Sequence, residues 1–395
     1  MRYVYGNCEL VTCFLRRYAV LQFTLARRSL LSYDKCRKAR GKDRIRVNTE
    51  KLAKLLGISR GTVSRVLNNH PNVKEETRRR VLQALEQYDY TPNETARSLV
   101  MKKDYRIAVA VYSEPEFFWK QVEYGVSAAA WELKVRGVTV DFLKTDIEKP
   151  QEQLELLKSL RERGYHGLAV APNVPGVIAD EVERMGEDGF PVAVINAPLP
   201  GVRQLCYIGC DFLRSGRLAG ELFLKMMGGQ GRLAALTLKE PVDAIERRME
   251  GLQQALSNQD AVKLTRILKF DRRPENVYEE VMELQNGSAP ADGIFVSIGA
   301  LEQTARAVRD SCTGGVPCVI GYDLNEEISG YMEQGLIAAS IGHEPFQQGY
   351  YAVKVLYQYL NSGTAPAKPA LYTKSEAIFA ANAGCYLQKP LDMEL

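Results

Sequence analysis

The sequence predicts two unlike parts in tandem: a small all-α unit, then a larger α/β body of two lobes. Three observations predict it. Residues 48–90 carry three short helical patterns in succession. From Tyr105 onward, β-rich apolar runs alternate with helix-length amphipathic stretches, the rhythm of parallel sheets covered on both faces. Charge is split along the chain. The net charge is +4 over 395 residues. Residues 1–43 hold 10 Lys/Arg against 3 Asp/Glu, or +7, and residues 44–103 hold 13 against 6, again +7. The remainder holds 29 against 39, or −10. A basic front on an acidic body suits a front end that meets a polyanion.

The first helical pattern has the apolar stripe Leu52, Ala53, Leu55 and Leu56, and Gly57 stops it. Ser59 is placed to cap the second pattern, whose buried face is Val63, Val66 and Leu67. The third runs from Lys74 to Tyr88, opens on Glu75-Glu76 at the positive helix end, and buries Val81, Leu82 and Leu85. A helix, a Gly turn and a second helix form a helix-turn-helix, whose second helix enters the major groove of DNA. Arg60, exposed in its first turn, reaches a guanine edge. Thr62 and Ser64 suit phosphate or base contacts.

In the body, strands are predicted at Ile107–Tyr112, Val138–Leu143, Gly167–Ala171, Val192–Asn196, Leu233–Leu238, Leu264–Lys269, Gly293–Ser297, Cys318–Gly321 and Ala338–Ile341. Nine strands over such a length imply two subdomains. The expected boundaries are 1–46 for an extension without an assignable fold, 47–91 for the helix-turn-helix, 92–103 for a linker and 104–390 for the two-lobed body. No internal Met precedes Met101, and Val47 is expected to be the true start, the alternative being a basic arm that adds phosphate contacts.

Other classes find little support. The eight cysteines show no CxxC spacing, and with three histidines neither a disulfide framework nor a zinc site is expected. Gly228-Gly229-Gln230-Gly231 lacks the Lys-Ser/Thr of a phosphate loop and precedes a strand. No nucleophile elbow is visible. The expectation is a cytoplasmic protein that is not an enzyme and has no cofactor, metal or membrane span.

The stretches Ser59-Arg60-Gly61-Thr62-Val63-Ser64-Arg65-Val66-Leu67-Asn68, His70-Pro71-Asn72-Val73, Glu76-Thr77-Arg78-Arg79-Arg80-Val81, Tyr90-Thr91-Pro92-Asn93 and Ala96-Arg97-Ser98-Leu99 together resemble the lactose-repressor family. That resemblance implies a homodimer that binds a near-palindromic operator and is controlled by a small sugar-like effector, most often as a repressor. It implies DNA contacts from Ser59, Arg60, Gly61, Thr62, Ser64, Arg65, Asn68 and His70. It further implies that Asn93 to Leu99 is a hinge helix, in which Asn93, Ala96 and Arg97 approach the DNA and Leu99 wedges into the minor groove. Glu50-Lys51-Leu52 replaces the acidic and β-branched residues usual in the family's first helix.

Residues 105–390 resemble the sugar-binding periplasmic fold that this family uses to sense its effector. The rival expectation, a plain solute-binding protein, shares that stretch but would not carry residues 48–103. In such a fold ligands sit at the carboxyl ends of parallel strands. Arg248 and Asp323 are the expected charged contacts to hydroxyls. Phe117, Phe118 and Trp119 are expected to stack on a sugar face. Asn173, Asn196 and His343 follow strands and are expected to add polar contacts. Ile298-Gly299 stands where the family usually has an Asn-Asp pair, which makes an ordinary hexose a poor match.

Overall fold

The computed structural model describes residues 49–67, 73–88, 104–257, 262–272, 275–311 and 315–387. The chain divides into two compact units, Met1–Arg97 and Ser98–Leu395. The expectations for the extension, for Asn68 and His70, and for the hinge helix with Asn93, Ala96, Arg97 and Leu99 fall outside the described residues.

In the first unit, α1 spans Thr49–Leu56, α2 Arg60–Leu67 and α3 Glu75–Gln87. Their core is Leu52, Ala53, Val63, Val66, Val81 and Ala84. Two expected core residues lie outside it: Leu55 is 57% exposed and Leu82 48%. Each has an apolar neighbour, Leu56 or Val81, about 100° around the helix, and only that neighbour faces the other helices. Gly57 ends α1 with φ +65°, while Ile58 N donates to Ala53 O and Gly57 N to Lys54 O. This paired C-cap uses the left-handed conformation that Gly adopts without strain. Arg80 adds a side-chain bond to Leu56 O at 3.1 Å.

The second unit holds two six-stranded sheets of matching topology. In lobe 1 the strands are β1 (Tyr105–Tyr112), β2 (Val138–Thr145), β3 (Gly167–Val170), β4 (Val192–Ile195), β5 (Cys206–Cys210) and β11 (Ala370–Thr373), in the order β2-β1-β3-β4-β5-β11. In lobe 2 they are β6 (Gly231–Leu238), β7 (Val262–Phe270), β8 (Gly293–Val296), β9 (Cys318–Tyr322), β10 (Ala339–Gly342) and β12 (Glu376–Ile378), in the order β7-β6-β8-β9-β10-β12. Pairing is parallel except between β10 and β12. Side chains alternate between faces: Ile107, Val109 and Val111 of β1 join one core and Ala108 and Ala110 the other.

Helices cover both faces. In lobe 1 they are α4 (Glu116–Leu133), α5 (Pro150–Ser159), α6 (Pro175–Glu187) and α12 (Pro345–Ser362). In lobe 2 they are α7 (Phe212–Met226), α8 (Asp243–Leu256), α9 (Val277–Asn286), α10 (Leu301–Asp310), α11 (Glu326–Glu333) and α13 (Ala380–Leu387). The chain crosses between lobes after β5, after β10 and between β11 and β12. Helices α7 and α12, each just past a crossing, pack on α8 and α4 respectively. Both pairs touch backbone to backbone at glycines, Gly216 and Gly251 in one and Gly125 and Gly349 in the other.

Candidate functional site

In the first unit the helix pair presents α2 outward. Ser59 caps it, accepting from Thr62 N at 3.1 Å, and its hydroxyl meets that of Thr62 at 2.9 Å. Val63 and Val66 face the core, so the helical pitch leaves Arg60, Gly61, Ser64 and Arg65 exposed. Arg60 and Arg65, five residues and so about 140° apart around the helix, place positive charge on either side of its exposed surface. Ser59 and Thr62 serve the helix terminus first.

In the second unit the carboxyl ends of the two sheets face a crevice. Asn196 follows β4 and Asp323 follows β9, topologically equivalent places in the two lobes. Both hold left-handed backbone, φ 63° and 68°. Asn and Asp are the non-glycine residues that tolerate this conformation best. The turn lifts each side chain off its strand end. Asn196 Nδ2 donates to Tyr112 Oη at 3.3 Å, and burial pushes the Tyr112 hydroxyl up to about 12.

Arg248, on α8, lies over the Tyr322 ring at 3.7 Å and the Phe212 ring at 5.2 Å. Its Nη1 donates to Ser297 O at 3.0 Å, and its Nε is buried without a hydrogen-bond partner. The other face of Tyr322 stacks on His343 at 5.2 Å. His343 Nδ1 lies 3.5 Å from Asp323 Oδ1, and Nε2 is buried without a hydrogen-bond partner. Arg272, just past β7, reaches across from lobe 2 and donates to Asn173 O at 2.5 Å.

The three crossings meet at the crevice floor through Cys210, His343 and Ser375. Cys210 Sγ lies 3.3 Å from Ser375 Oγ. Burial opposes ionisation of its thiol, but His343, Ser375 and Arg248 outweigh that and hold it below the usual range. Burial likewise opposes charge on His343, yet Cys210 and Asp323 raise the imidazole to about 9. Asp323 is lowered despite its own burial, by His343 and Arg248. By contrast, burial alone pushes Cys206 up to about 12 and Cys318 to about 11.

These two shifts oppose each other in their effect on stability. A raised His contributes stability that is lost as pH climbs from 6.5 through its folded value. A lowered Cys contributes stability that grows over the range below its unfolded value. Their effects on stability as pH rises therefore oppose each other. Cys210→Ser removes the thiol half and leaves Asp323 as the remaining group that raises His343. The melting temperature of the variant is expected to fall relative to wild type as pH rises from 6.5 toward 9, read by calorimetry. A constant difference across that range contradicts the pairing.

Several expected effector contacts are placed otherwise. Trp119 is 0% exposed and Phe118 6%, both inside the lobe 1 core. Trp119 Nε1 is bonded to Glu114 O at 3.0 Å, and no ring face is left for a sugar. Asn173 is 3% exposed. Its Nδ2 donates to Ile147 O and its backbone N to Gln153 Oε1, so it braces the loop after β3. Phe117 is half-buried beside that core. Arg248, Asp323 and His343 come together, and Asn196 stands beside Tyr112 at the equivalent strand end of lobe 1. Three residues absent from the expected set join them. Arg272 and Cys210 each sit at a strand end, and Tyr322 precedes Asp323, a position readable once the strands are placed.

Comparison with known proteins bears on both units. The model of bacterial regulatory proteins, lacI family, matches residues 50–93, and the periplasmic binding protein domain matches residues 107–365. The ribose operon repressor of Bacillus subtilis is 32% identical over 272 residues, covering 68% of this chain and 78% of that protein. The chain belongs to the lacI family of bacterial regulatory proteins. Catabolite control protein A of Priestia megaterium is 24% identical over 319 residues, 79% of this chain and 92% of its own. AraP, an arabinose binding protein from Geobacillus stearothermophilus, superimposes with a TM-score of 0.66 at 18% identity, covering 72% of this chain and all of its own. That likeness shows the fold alone. As a lacI-family member the chain is a DNA-binding transcription regulator, built from a helix-turn-helix and a two-lobed sensor. Among the described residues no helix is long and apolar enough to cross a membrane.

Proposed function

We propose that this regulator is a cytoplasmic repressor that binds a near-palindromic operator as a homodimer. Residues 47–91 recognise the DNA, residues 92–103 join the units, and residues 104–390 bind a small sugar-like effector in the crevice. Its activity is regulatory rather than enzymatic. The observation that carries the DNA part is the face of α2, where Arg60 and Arg65 stand exposed while Val63 and Val66 anchor the helix. A symmetric operator requires a two-fold protein. The crevice reading rests on Arg248, Asp323 and Asn196 converging at strand ends. Arg60→Ala is expected to weaken binding to the cognate operator by about 1–3 kcal/mol while barely changing affinity for random DNA. Fluorescence anisotropy with both duplexes at one salt concentration measures it. Equal losses on both make Arg60 a phosphate contact and remove the base-reading role.

A further inference from the structure

We propose that the small molecule taken by the crevice carries an acidic group, a carboxylate or a phosphate, seated between Arg248 and Arg272. The inference rests on the reading of the crevice as the effector site and adds the chemical class.

The wall of lobe 2 is rich in donors and poor in acceptors. Among the described residues neither Arg248 nor Arg272 has a carboxylate within ion-pair distance. Each spends one N–H group on a backbone carbonyl, Ser297 O or Asn173 O, and a guanidinium carries five. Arg248 Nε is buried without a partner. Unpartnered buried donors are costly unless an acceptor meets them.

The acids nearby are already engaged. Asp211 caps α7 through Arg214 N and pairs with Arg214 at 3.2 Å. Asp146 accepts from Glu148 N and pairs with Lys149. Glu114 accepts from Glu116 N. Asp323 faces His343. At the end of β8, where an acceptor would complete a site for hydroxyl groups, the chain has buried Ile298 and bare Gly299.

A neutral polyol offers a hydroxyl hydrogen with each oxygen and needs an acceptor for it. The carboxylate acceptor of this wall is Asp323, and the buried Tyr322 and Ser215 hydroxyls add weaker acceptors. A carboxylate or phosphate brings acceptors only, matches a guanidinium in bidentate fashion, and offsets the positive charge of Arg248, Arg272 and His343 that remains once Asp323 and the lowered Cys210 thiol are counted. Asp323 and Asn196 remain to take the hydroxyl groups of the same molecule.

The test uses the full-length protein and matched probes: glucose, glucuronate, gluconate, glucose 6-phosphate, and ribose with ribose 5-phosphate. Inorganic phosphate serves as the adventitious-ion control. Calorimetry is run at two salt concentrations. The expected result is at least tenfold tighter binding of an acidic member than of its neutral counterpart. That preference should shrink with salt and be lost in Arg272→Ala, whose exposed side chain lets it fold. The carboxylate and phosphate arms separate the two sources of the acid. Equal or tighter binding of a neutral member overturns the acidic class and leaves the effector reading standing. Binding of inorganic phosphate as tightly as any sugar derivative, an adventitious ion only, overturns it too. Binding of an acidic member that Arg272→Ala and Arg248→Lys leave unchanged moves the acid elsewhere and refutes the placement. Binding by no member overturns both readings.

Discussion

Gly216→Ala is expected to destabilise the sensor unit by about 3 kcal/mol and to abolish effector binding with it. A Cβ at this position would lie 2.0 Å from Arg248 O, and one at Gly251 would lie 2.1 Å from Leu213 O. Both clashes are with helical backbone, which cannot swing aside as a side chain does, so α7 and α8 must separate. The carbonyl that is struck belongs to Arg248, whose guanidinium is held between the Tyr322 ring and Ser297 O. A shift of the helix therefore moves the proposed effector contact directly. Gly330, within α11, is the control, since a Cβ there meets nothing within 4 Å. Gly330→Ala is expected to stabilise by about 0.5–1 kcal/mol, as alanine does in an open helical position. Melting temperatures of both variants decide it. An unperturbed Gly216→Ala protein means that the helices are not held at backbone contact.

Trp119→Ala is expected to cost about 3–5 kcal/mol, as large-to-small changes in packed cores do. Trp119 is the bulkiest fully buried side chain, set edge-on against Tyr112 and Phe118. Its removal opens a cavity and leaves Glu114 O without its donor. Trp119→Phe retains most of the volume and separates structure from binding. That variant should melt somewhat lower and keep effector affinity within about twofold, since the ring offers no face to the crevice. Wild-type stability together with a large loss of affinity would place the indole on the ligand instead.

The fold was legible wherever apolar runs were long enough to stand out. Nine of the strands read directly as Val-, Ile- and Ala-rich segments between amphipathic helices. β5, β11 and β12 did not. Cys206–Cys210 is five residues with an internal glycine, and Ala370–Thr373 and Glu376–Ile378 are shorter still. Their strand character comes from neighbours, β4, β5 and β10, already in place. At the site, Arg248, Asp323 and His343 were singled out from local matches to the sugar-binding fold and from their places past strands, and the structure brings the three together. Phe118 and Trp119 were misread on residue type. Their spacing with Val122, Val126, Ala129 and Leu133, all buried on one stripe of α4, was the better guide. Arg272 was illegible because its role depends on a lobe more than 90 residues away in sequence.

Three short crossings join the lobes, the Arg272–Asn173 bond spans them, and each lobe has its own packed core. Such a body has in effect one soft coordinate, a rotation of one lobe against the other. Where such a body has two arrangements, a graded cellular response comes from the fraction of molecules switched. To carry that fraction from one in a hundred to ninety-nine, an effector must favour one arrangement by about 5.5 kcal/mol. A molecule that touches a single lobe binds both arrangements alike and switches nothing. Occupancy and signal are thus separable, and a ligand trimmed so that it loses its contacts to Asn196 is expected to fill the crevice silently, as an antagonist.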